Sequence, residues 1–247
     1  MFALNGKTAF VSGGTAGIGR AVAQNFVEAG ATVMIAGRRE EGAEVAREIG
    51  ASFRRLDVAD ESAVKEAMQA VKQELGSLDI LVANAGVATD DATIENTDTE
   101  QIRRVFDINV LGVIWCIRYA LPVLNDNASI IVTSSLAAKM GFPGEWDYAA
   151  SKAALTNIVM NAAIQLGERG IRVNGICPGG IQTDMALPAV IFETCAPIRR
   201  MGTTGDMVGI YNLLASDAGS YITGQNINVD GGVSAGFTTR LVEKIFS

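Results

Sequence analysis

A rhythm of helix stops constrains this chain's fold more than any other feature. Glu28-Ala29-Gly30, Glu48-Ile49-Gly50, Glu74-Leu75-Gly76 and Glu168-Arg169-Gly170 each put a glycine where a helix should end, shortly before a β-prone run. Glycine closes helices because, without a Cβ, it readily takes the left-handed conformation of the closing residue. The runs that follow are Thr32 to Ala36, Ser52 to Leu56, Asp79 to Ala83 and Arg172 to Cys177. Lys7 to Ser12 precedes them, and a further strand is predicted at Ser129 to Thr133. Helices are predicted near Arg20 to Glu28, Glu61 to Leu75, Glu100 to Ala120, Tyr148 to Glu168 and Asp206 to Ser216. The helix from Glu100 has capping-box spacing at Thr97 to Glu100 and a stop at Pro122. Parallel strands need crossover connections, so this alternation predicts a parallel sheet with helices on both faces. No composition break divides residues 1–247, and the expected fold is a single α/β domain with a doubly wound parallel sheet.

In such a sheet ligands bind outside the carboxyl ends of the strands. The unusual polar and glycine residues of this chain fall there: Gly13 after the first strand, Gly37-Arg38-Arg39 after the second, Asp57 after the third, Asn84-Ala85-Gly86 after the fourth, Ser134-Ser135 after the fifth and Pro178-Gly179 after the sixth. They should line one crevice. Gly13-Gly14-Thr15-Ala16-Gly17-Ile18-Gly19 leads from the first strand into a helix, so backbone N–H groups at that helix N-terminus can hold a pyrophosphate that glycines allow to come close. In Asp147 to Leu155, Tyr148 and Lys152 stand four residues apart among strong helix formers and therefore share a face. An ammonium beside a phenol favours the phenolate, so the phenol's resting pKa of about 10 is expected to fall toward neutral, where proton exchange is efficient.

Composition narrows the chemistry. The chain contains no histidine, which removes the commonest general base and metal ligand. Cys116, Cys177 and Cys195 lie far apart without a Cys-x-x-Cys pair, so neither a disulfide framework nor a metal site is expected. A net charge of -7 disfavours nucleic acid as a partner. The N-terminal residues lack a secretory pattern, and the apolar run Val110 to Ile117 is too short to span a bilayer, so a soluble cytoplasmic protein with no membrane association is expected.

With these motifs assembled, the chain resembles the short-chain dehydrogenase/reductase family in its single-domain, Rossmann-like form, over about Lys7 to Gly232. The resemblance is carried by Gly13, Gly17 and Gly19, Asn84-Ala85-Gly86, Asn109, Ser135, Tyr148 with Lys152, Pro178-Gly179 with Thr183, and Ile222-Thr223-Gly224-Gln225 through Asp230-Gly231-Gly232, all in the family's order. It implies hydride exchange between a nicotinamide cofactor and a carbonyl or carbinol carbon, with Tyr148 exchanging the proton on oxygen. Ser135 would bond that oxygen, Lys152 would hold the nicotinamide ribose and acidify Tyr148, and Asn109 would sit at a helix irregularity and hold a water beside Lys152. The cofactor residues carried over are Gly13, Thr15, Gly17, Ile18, Gly19, Asn84, Ala85, Gly86, Tyr148, Lys152, Pro178, Gly179, Ile181 and Thr183, with Asp57 and Val58 bordering the adenine.

Charge at the end of the second strand indicates which cofactor. Relatives preferring NAD(H) carry an acid where this chain has Gly37, and Arg38 and Arg39 follow it, so NADP(H) is expected, with NAD(H) the alternative. Residues 184–204 are largely apolar and are expected to form a lid over an apolar carbonyl or alcohol; Phe142 and Trp146 face either that pocket or the core. The tail, 233–247, contributes Phe237, Leu241, Val242, Ile245 and Phe246, apolar content suited to a subunit interface in a homo-oligomer, by resemblance a tetramer. A 3-oxoacyl-carrier-protein reductase and an NAD-preferring alcohol dehydrogenase are alternative readings. Reduction of an enoyl double bond fits less well, because relatives with that chemistry space Tyr and Lys more widely. A non-catalytic cofactor sensor fits least, because such descendants usually lose a catalytic residue and Asn109, Ser135, Tyr148 and Lys152 are all present.

Overall fold

The computed structural model describes residues 2–88, 93–185 and 189–246, with side chains in the last helix described through Glu243. Seven strands, β1 Thr8–Ser12, β2 Thr32–Gly37, β3 Ser52–Arg55, β4 Leu78–Ala83, β5 Leu124–Thr133, β6 Arg172–Pro178 and β7 Asn226–Val229, form one sheet in the order β3-β2-β1-β4-β5-β6-β7. Every neighbouring pair is parallel. The helices are α1 Gly17–Glu28, α2 Gly42–Ile49, α3 Glu61–Glu74, α4 Thr99–Phe106, α5 Gly112–Ala120, α6 Trp146–Leu166, α7 Ala189–Cys195, α8 Thr204–Ala215 and α9 Thr239–Phe246. None of the described helices is long and apolar enough to cross a membrane.

Successive residues of a strand point to opposite faces, so a sheet covered on both sides must be apolar at consecutive positions. Phe10, Met34, Leu81, Ile130 and Val173 pack into one apolar layer with Val64, Met68 and Leu155. On the opposite face of the same strands, Val11, Ile35, Val82, Ile131 and Ile176 pack into the other layer with Val22, Phe26, Met207 and Leu214. The chain winds outward from β1 to β3, returns at β4 and winds out the other way. The strand order therefore reverses between β1 and β4, and their carboxyl ends open the crevice.

The expected stops at Gly30, Gly50, Gly76 and Gly170 all have positive φ. Elsewhere the structure departs from the sequence reading. The strand β7 was not expected: four residues at the sheet edge, all half-buried, carry little apolar signal. The helix expected over Glu100 to Ala120 is interrupted by a π-helical turn, Asp107–Leu111, where the Gly112 N–H bonds the Asp107 carbonyl five residues back. No capping box forms at Thr97. Its hydroxyl instead donates to the Thr93 carbonyl at 2.8 Å and accepts from Trp146 Nε1 at 2.8 Å, so Trp146 is tied to the lead-in of α4. A capping box does form between Thr203 and Asp206 at the start of α8.

Candidate active site

The loops leaving β1 and β4 touch at the sheet's switch point. A Cβ added to Gly13 would lie 2.8 Å from Ala85 Cα, so these loops can meet only without a side chain there. Gly13 has φ +66, and its carbonyl would lie 2.2 Å from a Cβ on Gly19, the third glycine of the turn. No side chain caps α1 and no acid stands in its first turn, so the N-terminus keeps its affinity for an anion. Across from it, Thr183 Cγ2 would be 3.2 Å from a Cβ on Gly17, and a cavity of about 380 Å³ lined by Gly17, Arg20, Gln182 and Thr183 opens between them. Uncapped donors and a cradle that side chains would fill match what a dinucleotide pyrophosphate requires.

The adenosine end lies beyond β2. A Cβ on Gly37 would be 2.9 Å from Thr15 Oγ1, so a larger residue at 37 would crowd the glycine turn. Arg38 and Arg39 are exposed, and among the described residues neither forms an ion pair; Arg55 instead pairs with Glu40 at 3.0 Å. Asp57 is exposed and accepts from the Ala59 N–H at 3.1 Å. The Val58 side chain is buried against Gly112, and Ile181 is buried in the apolar layer beside α1, so both face away from solvent. Pro178 ends β6, and Gly179 follows it so close to Asp230 that an added Cβ would be 2.7 Å from Asp230 Cα.

At the centre, Asn109 occupies the π-helical turn, fully buried. Its Nδ2 donates to the Val87 carbonyl at 2.9 Å and to Ser151 Oγ at 3.0 Å, while its Oδ1 accepts from the Val87 N–H at 2.9 Å. A Cβ on Gly86 would meet both Asn109 Oδ1 and Lys152 Nζ at 3.2 Å, so these groups converge on the β4 loop. Lys152 Nζ donates to the Thr133 carbonyl at 3.0 Å and stands 5.7 Å from the centre of the Tyr148 ring. Ser135 Oγ accepts from the Ala137 N–H at 3.1 Å and lies beside the Tyr148 phenol, whose acidity it raises. Ser135, Tyr148, Lys152 and Asn109 are thus one cluster at the carboxyl end of the sheet.

The expectation that Lys152 lowers the Tyr148 pKa is corrected in the protein alone. Burial, the largest influence, pushes the phenol up to about 12; the Ser135 hydrogen bond opposes this, and the charge of Glu145 adds to it. Burial likewise drives Lys152 down to about 8. Removing a phenolate and an ammonium from water disfavours the charged form of each, and burial is the largest influence on both groups.

The sequence reading placed Ser134 at the crevice but missed the other polar residues that hold this cluster in place. Ser12 Oγ accepts from the N–H groups of Asn84 and Ala85 at 3.0 and 3.2 Å, Thr133 anchors Lys152, and Ser134 Oγ donates to the Lys152 carbonyl at 2.9 Å. A polar residue ending an apolar run, as Ser12 and Thr133 do, was the available signal. The segment expected as a lid is in part docked. Phe192 of α7 is buried so tightly on Gly180 that a Cβ there would be 2.2 Å from its ring, and Met201 is buried, whereas Met185, Val190, Ile191 and Ile198 are exposed. Leu187 and Pro188 lie outside the described residues. The tail helix α9 follows Thr238, whose hydroxyl bonds the Thr194 carbonyl of α7 at 3.2 Å; Phe237 and Val242 are exposed, and the side chains of Ile245 and Phe246 lie outside the described residues.

Known proteins share this fold. A family model described as enoyl-(acyl carrier protein) reductase matches residues 13–234. The chain is 37% identical over 249 residues to short-chain dehydrogenase reductase 4 of Arabidopsis thaliana, covering 94% of this chain and 83% of the relative. It is 38% identical over 241 residues to a 3-oxoacyl-(acyl-carrier-protein) reductase of Staphylococcus aureus, covering 92% and 98%. Among solved structures, a short-chain type dehydrogenase/reductase from Mycobacterium marinum superposes with a TM-score of 0.90 at 34% identity, covering 95% of this chain and 98% of that one. A blue fluorescent protein from a metagenomic library, in complex with NADPH, gives a TM-score of 0.89 at 32% identity, covering 94% and 99%.

Proposed function

Because the chain belongs to the short-chain dehydrogenase/reductase family and is an NAD(P)-dependent oxidoreductase, we propose that it exchanges hydride between NADP(H) and an apolar ketone or secondary alcohol, with Tyr148 transferring the proton. The observation that carries this reading is the meeting of Ser135, Tyr148 and Lys152 beside the uncapped glycine turn. Held protonated by burial, Tyr148 is a loaded acid for a reactive oxygen within its reach. Ser135, whose oxygen already accepts from Ala137, has its own proton to direct at that oxygen. Lys152 supplies a cation fixed by the Thr133 carbonyl, and Asn109 fixes the helix turn that packs on Gly86. When bound, the nicotinamide supplies or takes the hydride and, in its oxidised form, adds a positive charge that favours the phenolate. The four-residue spacing of Tyr148 and Lys152 supports carbonyl over enoyl reduction. Exposed Met185, Val190, Ile191 and Ile198 support an apolar substrate under a lid formed by 184–204. A second reading, 3-oxoacyl-carrier-protein reduction, is supported by the Staphylococcus aureus relative. A panel of ketones, alcohols and 3-oxoacyl thioesters, followed by cofactor absorbance, tests both; dinucleotide binding without turnover on any member would favour a sensor.

NADP(H) preference is supported by the exposed Arg38 and Arg39 beyond Gly37, which form no ion pair among the described residues, and by the NADPH bound to the metagenomic relative. A charge-assisted bond to a 2′-phosphate contributes about 1.5–3 kcal/mol, or about tenfold and more in affinity. Arg38→Ala is therefore expected to weaken NADPH binding by about tenfold and leave NADH binding within about twofold, read by fluorescence titration. Equal loss for both, or tighter NADH binding by the parent protein, would reverse the assignment.

Reduction requires a protonated Tyr148 and a cationic Lys152. With the phenol up at about 12 and the amine down at about 8, rising pH removes the lysine charge first. The kcat/KM for reduction should then be level on the acid side, where no histidine titrates, and fall through about 8. A profile that stays level well past that pH would take Lys152 out of this role.

A further inference from the structure

We infer that Tyr211, a fully buried residue of α8, is a positioning residue that holds both halves of the site in register through Thr133. Its hydroxyl lies 2.7 Å from Thr133 Oγ1, which in turn donates to Asn84 Oδ1 at 3.1 Å. Asn84 Nδ2 donates to the carbonyls of Ser12 and Gly13, each at 3.2 Å. These partners set every proton in the chain. Because the Asn84 nitrogen faces two carbonyls, its oxygen faces Thr133 and must accept; the single hydroxyl proton of Thr133 goes there, and Thr133 can receive only from Tyr211. Tyr211 is thus the donor that starts a one-way chain ending on the Gly13 carbonyl. Burial raises its pKa well above the ordinary phenol value, so that proton stays in place.

Thr133 is the branch point. Its side chain sets the Asn84 amide, and its carbonyl accepts Lys152 Nζ at 3.0 Å. The Asn84 amide lies directly beneath the glycine turn: its nitrogen would be 2.9 Å from a Cβ on Gly13 and 2.5 Å from one on Gly19. One residue therefore ties the two together, its side chain carrying the floor of the turn and its backbone carbonyl the anchor of the amine. The donor sits on the helix that follows the substrate segment, begun by the Thr203 capping box and held by Arg200, whose Nη1 and Nη2 both bond Asp206. The role assigned to Tyr211 rests on reading the glycine turn as the dinucleotide site.

The test uses Tyr211→Phe, which removes one oxygen and keeps the ring, together with Thr133→Val and Thr133→Ser. Amide hydrogen exchange of residues 84–86 is measured without dinucleotide, and the NADPH Kd is measured by titration. Tyr211→Phe should speed exchange of that segment at least fivefold and raise the Kd at least fivefold. Thr133→Ser, which keeps the hydroxyl, should stay within twofold of the parent in both. Adding Tyr211→Phe to Thr133→Val should change nothing further, because both act through one group. A fall in Tm with exchange and Kd unchanged would overturn the proposal and leave Tyr211 an ordinary core residue. If the parent binds no dinucleotide, the functional reading fails, while the exchange measurement still decides whether the tie exists.

Discussion

Tyr148→Phe is expected to lower kcat for carbonyl reduction by about 10³-fold, within the range of about 10²–10⁴ that a positioned acid contributes, while the dinucleotide Kd stays within about twofold. The substitution keeps the ring and its half-buried packing and deletes the hydroxyl that lies beside Ser135. What remains is a substrate oxygen facing Ser135, which can donate a hydrogen bond but is a far weaker acid, with the Lys152 charge held on the Thr133 carbonyl. Because the phenol stays protonated up to about 12, the parent enzyme carries its acid loaded at every ordinary pH, and the loss should be uniform across the neutral range. Stopped-flow measurement with saturating dinucleotide separates the chemical step from binding. Turnover within about tenfold of the parent would remove Tyr148 from proton transfer and turn attention to Ser135 or water.

The contrast between Tyr148 and Tyr211 shows what the sequence can carry. Tyr148 stands four residues from Lys152 on one helix, and a shared face follows from helix periodicity alone. Tyr211 stands 78 residues from Thr133, and only the packing of α8 against the sheet brings them together. The parallel sheet was legible for a similar reason: glycine stops and apolar runs are local signals, and strand-end positions follow once the topology is accepted. The edge strand Asn226–Val229 was hidden because half of it is polar and its pairing with β6 is non-local. The direction of the Tyr148 pKa was hidden as well. Spacing reveals a cation nearby, but the loss of water around both groups depends on everything folded over them, and here that loss is the largest influence on each. Thr97 and Thr203 make the same point, since both carry capping-box spacing. Thr97 is drawn off by Thr93 and Trp146, and only Thr203 forms the box.

Gly19→Ala is expected to weaken dinucleotide binding by at least about a hundredfold, or about 2.7 kcal/mol. A methyl at this position would sit 2.2 Å from the Gly13 carbonyl oxygen and 2.5 Å from Asn84 Nδ2. Neither neighbour can retreat cheaply. The Gly13 carbonyl is held by Asn84 at 3.2 Å, Gly13 itself has the positive φ that keeps the turn tight, and Asn84 is pinned in turn by Ser12 and Thr133. The strain must therefore open the turn from below, displacing the N–H groups that would face the pyrophosphate. Gly141→Ala is the control, since an added Cβ there meets nothing within 4 Å and the backbone has no positive φ. Titration with NADPH, alongside circular dichroism to verify the fold, reads the result. If Gly19→Ala binds NADPH as tightly as the control while folded, the pyrophosphate does not rest on this turn. The crevice opened by β1 and β4 would then need another occupant.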